Sequence, residues 1–311
     1  LTFVQLEYIV ALDTFRHFAK AAAYCKVTQP TLSMQIQKLE EALDLKIFDR
    51  SKQPVVPTET GIAIIEQAKH ILHSKQAITE TVQLKKGIVV GELKIGIIPT
   101  IAPYLLPLFV QDFTKQYPGV KLMVNELTTD LIISRLRESR IDAGILATPL
   151  QETGITEKVL FYEELMAYVS RKNNAFQKKY VLAKDIDPEK LWLLEEGHCF
   201  RSQIINLCEL RRSSEESRHF EYEAGSFETL RRLVDVNDGI TILPEMATLD
   251  FTAAQQQRIR HFKHPAPVRE VSLVLHRNLV KKRLIEALQS VIIHALPDKI
   301  RKNKKSFVLP V

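Results

Sequence analysis

The 311-residue chain is 45% hydrophobic and 26% charged, with a formal net charge of +6. Its length supports more than one buried core, and its composition excludes disordered, collagen-like and disulfide-scaffold classes. No run of about eighteen or more uninterrupted apolar residues occurs, so no membrane-spanning helix and no membrane partner are expected.

The first residues run straight into an amphipathic pattern, with neither a basic leader nor a small-residue cleavage site. No signal peptide is expected, and the location expected is cytoplasmic. Leu1 stands where Met would open a chain, which fits an unusual start codon or a trimmed N-terminus. Leu6, Ile9, Val10, Leu12 and Phe15 repeat at helical spacing and predict a first helix. Phe18 to Cys25 predicts a second, built of small residues that another helix can approach closely. Lys26-Val27-Thr28 makes a turn, and a third helix starts at Thr28 or Gln29 with Pro30 in its first turn, where no N–H is needed. Leu32, Ile36, Leu39 and Leu43 form its buried face, while Gln29, Thr31, Ser33, Met34, Gln35 and Lys38 point away from it. Short hydroxyls and amides near a helix N-terminus suit phosphates and base edges. Bulk charge adds little to that argument. Residues 1 to 57 carry seven Lys/Arg against six Asp/Glu, and much of the basic excess lies in Lys299, Arg301, Lys302, Lys304 and Lys305, read as a charged, disordered end.

Ser51 to Pro57, with Pro54 and Pro57 around β-branched residues, fits a small exposed hairpin. Thr58-Glu59-Thr60 offers an N-cap and opens a long helix to about Lys86. Along it Ile64, Ile71 and Ile78 recur every seven residues, with Ile65 and Leu72 beside them and Ala68 and Val82 completing the stripe. That seam suits a helix-to-helix dimer contact, or packing on the rest of the same chain. From Glu92 strands and helices alternate: strands at Leu93–Ile98, Val120–Val124 and Asp142–Leu146, helices at Tyr104–Tyr117 and Asp130–Arg140. The rhythm returns in strands at Leu165–Ser170, Phe220–Ala224, Ile240–Leu243 and Val271–Leu275. It predicts α/β domains with parallel sheets and ligand-sized clefts at the strand ends.

The run FAKAAAYCKVTQPTLSMQIQKLEEALDLKIFDRS at 18–51, followed by PTETG at 57–61 and the long helix, resembles the N-terminal domain of LysR-type transcriptional regulators. The resemblance continues over nearly the whole chain. It implies a winged helix-turn-helix at 1–58 and a linker and dimerisation helix at 59–88. A two-lobed, type II periplasmic-binding-protein-like α/β effector domain follows at 89–311. Lobe I would hold about 89–161 and 268–300, and lobe II about 162–267. The resemblance implies that Gln29, Pro30, Thr31, Ser33 and Gln35 approach the major groove of double-stranded DNA, and that Arg50 at the wing binds phosphate or the minor groove. It further implies a non-enzymatic homo-oligomer, a tetramer, that works with RNA polymerase.

Cys25 is assigned to the helix-turn-helix core, whereas Cys199 and Cys208 share one segment. After Gly197, the residues Phe200, Ile204, Leu207 and Cys208 fall at helical spacing, which puts Cys199 at a helix N-terminus beside His198 and Arg201. That setting stabilises thiolate over thiol, so Cys199 is expected to be the more reactive sulfur. Nine residues of helix separate the two Cα atoms by roughly 13 Å, and a disulfide spans at most about 7 Å. Helix and bond cannot coexist, which makes the segment bistable. Two inert, buried cysteines are the other reading of the same pattern.

The segment GHCFRSQ…C at 197–208 and GIIPTIAPYLLP at 96–107 resemble the OxyR subfamily of peroxide sensors. The resemblance implies that hydrogen peroxide oxidises a peroxidatic Cys199 to sulfenic acid and that a resolving Cys208 closes a reversible disulfide. That bond would activate oxidative-stress genes and be reopened by cellular thiol reductants. It also implies a peroxide pocket lined by Thr100, Thr129, His198 and Arg201. Arg269, ahead of the VSLVL strand, is the candidate pocket arginine, with an ordinary surface arginine as the alternative. Ser202 departs from the pattern, because relatives often carry an acid there. No cofactor or metal is expected: the nine histidines are dispersed and no phosphate-cradling Gly-rich loop is present. A regulator that binds a small metabolite in the interlobe cleft, with incidental cysteines, is the competing function. A thiol peroxidase is disfavoured because recycling needs an accessible disulfide and a reductant partner. A periplasmic solute-binding protein is disfavoured by the helix-turn-helix.

Overall fold

A computed structural model describes residues 1–85, 89–150, 152–195, 199–208, 224–277 and 281–310. Two compact units emerge, Leu1–Ile88 with Arg137–Arg140, and Val89–Leu136 with Ile141–Val311.

In the first unit, Thr2 caps α1 (Phe3–Phe15) through a reciprocal pair with Gln5: the Gln5 amide donates to Thr2 Oγ1, and the Thr2 amide to Gln5 Oε1. The chain turns through Arg16 into α2 (Phe18–Tyr24), and through Lys26, at a left-handed φ of 56°, into α3 (Gln29–Ala42). Thr28 caps α3 and Pro30 occupies its first turn. Leu6, Ile9, Leu12, Ala21, Leu32, Ile36 and Leu39 meet in one core. The hairpin forms between β1 (Phe48–Asp49) and β2 (Val56–Pro57), so its paired residues begin ahead of the expected 51–57 stretch.

The long helix α4 (Glu59–Lys85) follows, with the Gly61 amide donating to Thr58 Oγ1. Gly61 is required by contact: a Cβ there would lie 2.0 Å from the Ile47 carbonyl oxygen. The apolar stripe expected on this helix divides in two. Ile65 and Ala68 are buried in the first unit's own core, with Ile64 and Leu72 packed against it, whereas Ile71 and Ile78 are exposed. A helix turns about 100° per residue, so neighbours such as Ile71 and Leu72 cannot share a face. The Val82 side chain lies outside the described residues.

The second unit begins with β3 (Gly91–Ile97), α5 (Ala102–Gln116), β4 (Val120–Glu126), α6 (Thr129–Arg137), β5 (Ala143–Thr148) and the long β6 (Ile155–Val169). The short strands β7 (Tyr180–Val181) and β8 (Leu191–Trp192) lead to α7 (Cys199–Leu207), α8 (Phe227–Val236) and β9 (Ile240–Pro244). Then come α9 (Ala253–Gln256), β10 (Ile259–Phe262), β11 (Pro267–His276), α10 (Lys282–Ala295), α11 (Asp298–Lys302) and β12 (Phe307–Val308). The sheets are mixed rather than parallel as the alternation predicted. β3 pairs in parallel with β4 and β5, but β11 runs antiparallel to β5 and β6, and β6 antiparallel to β9 and β10. The reason lies in the path of the chain at β6 and β11: β6 runs from one core into the other, and β11 enters the first core from Ala266, a residue of the second. One core gathers Leu93, Phe109, Ile132, Phe161, Leu273 and Leu288; the other gathers Leu165, Tyr168, Phe200, Ile204, Phe227 and Ile242. Strands that cross twice between lobes must return in opposite directions. Of the expected strand Phe220–Ala224, residues 220–223 lie outside the described chain, and Ala224 makes a single parallel bridge to Leu194.

The basic tail is ordered, contrary to expectation. Ile300 is buried in the first core, β12 pairs in parallel with β11, and Leu309 is buried in the second core. Apolar residues spaced through the charge run supply the burial that a purely charged tail lacks.

Candidate nucleic-acid interface and regulatory cleft

On α3, Gln29 and Pro30 are exposed and Thr31, Ser33 and Gln35 half-exposed, on the side away from buried Leu32, Ile36 and Leu39. The Thr31 amide donates to Thr28 Oγ1 at 3.4 Å, and the two hydroxyls lie 2.8 Å apart. Gln5 Nε2 donates to Gln35 Oε1 at 3.4 Å, which ties this face to α1. Arg50 follows β1, exposed, with Nη2 donating to Glu40 Oε2 at 2.9 Å and its guanidinium 5.5 Å over the Phe18 ring. Glu40 is the residue that sequence reasoning missed here. It is 1% exposed, and its Oε1 accepts from the Ile47 and Phe48 amides at 2.9 and 3.1 Å. One buried carboxylate therefore joins α3 to the wing and orients the wing arginine. Cys25 is half-buried at the edge of the core, and burial raises its thiol pKa, with Glu7 adding to the shift.

In the second unit, Arg269 on β11 stands directly opposite Glu163 on β6. The two side chains are 1% and 0% exposed. Arg269 Nε and Nη2 donate to Glu163 Oε1 at 2.9 and 2.5 Å, and Nη1 donates to Thr100 Oγ1 at 3.1 Å. Glu163 Oε2 accepts from the Met246 amide at 3.2 Å. A buried cation needs such a partner, and this one is matched by a cross-strand neighbour. The Arg269 guanidinium lies 5.2 Å from the centre of the Phe200 ring, one residue into α7. Phe200 meets Phe227 edge-on at 4.8 Å, and Tyr104 lies 6.4 Å from Phe227. Burial first, and the Glu228 carboxylate second, push the Tyr104 hydroxyl up to about 12.

Of the residues expected in the pocket, Thr100 and Arg269 are thus in direct contact. Arg269 is an interior residue, so its reading as an ordinary surface arginine is corrected. Thr129 is buried at the start of α6. That helix packs close over paired glycines of β3 and β5: a Cβ on Gly144 would come 2.3 Å from Ile132. Arg201 reaches the lobe backbone, Nη1 donating to the Leu194 carbonyl at 2.8 Å. Ser202 is exposed. His198 and the Cys199 side chain lie outside the described residues, but Cys199 is the first residue of α7. The Cys208 amide donates to Ile204 O at 3.0 Å, so the helical turn runs to the second cysteine. Burial raises the Cys208 thiol to about 11.

Glu163, Tyr104 and Phe227 were not read as functional from the sequence. A signal for Glu163 exists: Phe161, Glu163 and Leu165 alternate on one buried face of β6, and an acid there requires a partner. Among the described residues no group of His, Cys, Asp or Glu is arranged to hold a metal ion, and no helix is long and apolar enough to cross a membrane.

Comparison with known proteins agrees with this architecture. Residues 3–62 match the bacterial regulatory helix-turn-helix protein, lysR family, and residues 86–296 match the LysR substrate binding domain. The chain is 32% identical over 288 residues to the hydrogen peroxide-inducible genes activator of Haemophilus influenzae, covering 93% of this chain and 95% of that protein. A full-length OxyR mutant from Pseudomonas aeruginosa superimposes with a TM-score of 0.77 at 34% identity, over 94% of this chain and 97% of that one. A hydrogen-peroxide-bound OxyR mutant of Corynebacterium glutamicum aligns over 94% and 92% of the two chains, with a TM-score of 0.61 at 25% identity. The chain therefore belongs to the LysR family, whose members are DNA-binding transcription regulators rather than enzymes, and within that family it resembles the OxyR proteins.

Proposed function

We propose that this regulator senses hydrogen peroxide through a reversible Cys199–Cys208 disulfide and activates oxidative-stress genes in response. The observation that carries the reading is that the two cysteines stand at the opposite ends of α7. The helix holds them roughly 13 Å apart, and the bond forms only if the helix unwinds. The Cys199 thiolate attacks one peroxide oxygen, giving a sulfenic acid and releasing hydroxide. The Cys208 sulfur then attacks that sulfenic sulfur, and water leaves as the S–S bond closes. Two thiols and one peroxide become one disulfide and two waters; a cellular dithiol reverses the change by exchange.

Support for the site comes from the Thr100–Arg269–Phe200 contact, which brings a hydrogen-bonding hydroxyl and a buried cation against the first turn of α7. A helix N-terminus and a nearby guanidinium both favour thiolate. Thr129, His198 and Arg201 complete the proposed pocket, where Arg201 serves to hold α7 in place through its hydrogen bond to Leu194. On the DNA side, Gln29, Pro30, Thr31, Ser33 and Gln35 enter the major groove and Arg50 meets the backbone or minor groove. The near-neutral first unit gains little from phosphates alone, so the operator is read by paired units in a tetramer that joins through the exposed Ile71 and Ile78 and contacts RNA polymerase.

The test is non-reducing peptide mapping of the full-length protein after stoichiometric peroxide, with transcription measured for Cys199→Ser. A 199–208 linkage and a variant that binds its operator without responding to peroxide are the expected results. A variant that still responds normally would defeat the proposal. A metabolite that raises the thermal midpoint of the reduced protein would move the sensing to the interlobe cleft.

A further inference from the structure

Residues 298–310 touch three regions of the regulatory unit. Ile300 anchors the segment in the first core, and Asn303 Nδ2 donates to the Tyr162 carbonyl at 3.2 Å and to Glu245 Oε2 at 2.8 Å. Lys299 pairs with the same Glu245. Phe307 and Val308 then pair in parallel with Pro267 and Val268, immediately before Arg269. Leu309 is 2% exposed in the second core, and its amide donates to the Val268 carbonyl at 3.1 Å. Its carbonyl accepts from Gln203 Nε2 at 3.1 Å, and Gln203 lies in the middle of α7, fully buried.

We infer that the 298–310 segment is a clasp that holds α7 helical, and so keeps Cys199 and Cys208 apart, and that it lets go when the 199–208 segment rearranges. Gln203 is the link between the two elements. Among the described residues its Oε1 meets no hydrogen-bond partner, and the bond from Nε2 to Leu309 is the one that satisfies this buried amide. A buried polar group deprived of its partner is costly, whereas a made hydrogen bond adds little net stability. Displacing Leu309 therefore penalises the helical form of α7 specifically. Conversely, unwinding α7 withdraws Gln203 and orphans the Leu309 carbonyl inside the second core. Each element needs the other in place, which is a reciprocal coupling between the 307–309 segment and the cysteine helix. The same strand borders Arg269, so the clasp grips both sides of the candidate pocket.

The first half of the inference is independent of redox chemistry; the second half rests on the proposed disulfide. Hydrogen–deuterium exchange on the full-length protein tests both. In reduced protein, Leu309→Ala and, separately, Gln203→Leu should speed exchange of the amides at 203–208 by about tenfold, with α10 (Lys282–Ala295) changing by less than about twofold. No change at 203–208 overturns the clasp, and an equal rise in α10 overturns it too, because the segment would then only stabilise the unit as a whole. In the wild-type chain after peroxide, amides at 307–309 should exchange about tenfold faster once mapping detects the 199–208 bond. The bond with unchanged protection at 307–309 overturns the release. If no bond forms, the redox reading fails and the clasp is decided by the reduced-protein arm.

Discussion

In the DNA-binding unit Gln29, Pro30 and Arg50 stand in solvent while a buried acid, Glu40, braces the arginine from below. In the regulatory unit Thr100, Thr129 and Arg269 are themselves inside, and the brace, Glu163, is buried against Arg269. The first arrangement suits recognition of a large anion at a surface, where the site needs orientation but little shielding. The second suits chemistry on a small molecule, because a low-dielectric setting strengthens each charge–dipole contact. It also makes the second site far more sensitive to loss of its acid, since an unpaired charge cannot be hydrated there.

Removing the two braces in turn tests this difference between the units. Glu163→Ala strands the Arg269 guanidinium, and the regulatory unit should lose about 3–5 kcal/mol of stability. Trp192, the chain's single tryptophan, lies on β8 of that unit and reports its urea unfolding by fluorescence. Pairing Glu163→Leu with Arg269→Met should recover much of the loss while leaving the pocket without its cation. A loss below about 1 kcal/mol would mean that water reaches Arg269, and the contrast between the units would fall. Glu40→Ala orphans the amides of Ile47 and Phe48, and a loss of about 3 kcal/mol is expected in the first unit, read by circular dichroism. Operator affinity should fall with it, because Arg50 loses its anchor, while peroxide oxidation of the regulatory unit should keep its wild-type rate.

Cys208 sharpens the contrast within the cysteine segment. Burial raises its pKa from 9.0 to about 11, so at pH 8 its thiolate fraction is about 100-fold below that of an unperturbed thiol. In a Cys25→Ser, Cys199→Ser background, iodoacetamide should alkylate it about 100-fold more slowly than a free peptide thiol, with the rate still climbing tenfold per pH unit above pH 9. The linkage sign follows from the raised value. The buried neutral thiol favours the fold below pH 9, and that contribution is lost as pH rises from 9 towards 11. A rate within about threefold of the free thiol would show that Cys208 is not held in this way. In the proposed disulfide chemistry, Cys208 therefore stays protonated for as long as it is buried at the end of α7.

The two units also differ in how much of them could be read from the sequence. The three helices of the DNA-binding unit, the Thr28 cap and Pro30 all follow from local signals, because periodicity, capping and turn chemistry act within a few residues. The order of strands and helices in the regulatory unit is equally local, but the pairing directions are not. That β6 and β11 would lie antiparallel, with Glu163 against Arg269, joins residues over a hundred positions apart, and no spacing rule reaches that far. The segment from Lys299 onward reads as a charged tail, since its few apolar residues have value only in pockets built by other regions of the chain. The long helix shows the same limit: its heptad of isoleucines is legible, but which of them the first unit keeps for its own core is a tertiary fact.

The smallest expected effect tests how far the DNA-binding unit depends on local capping alone. Thr28 is exposed, and its hydroxyl accepts from the Thr31 amide at a long 3.4 Å, so Thr28→Ala should cost about 1 kcal/mol, in the ordinary range for a helix N-cap. The Thr31 hydroxyl, 2.8 Å from that of Thr28, loses its neighbour and becomes free to rotate. Because Thr31 belongs to the face proposed to meet DNA, operator affinity should fall by a factor of a few even where the fold is intact, whereas Thr28→Ser, which restores the cap, should return both stability and affinity. If Thr28→Ala lowers stability by the expected amount and leaves operator binding untouched, Thr31 does not contact DNA through its hydroxyl. The reading of the α3 N-terminus would then rest on Gln29, Ser33 and Gln35, the exposed and half-exposed polar residues of that face.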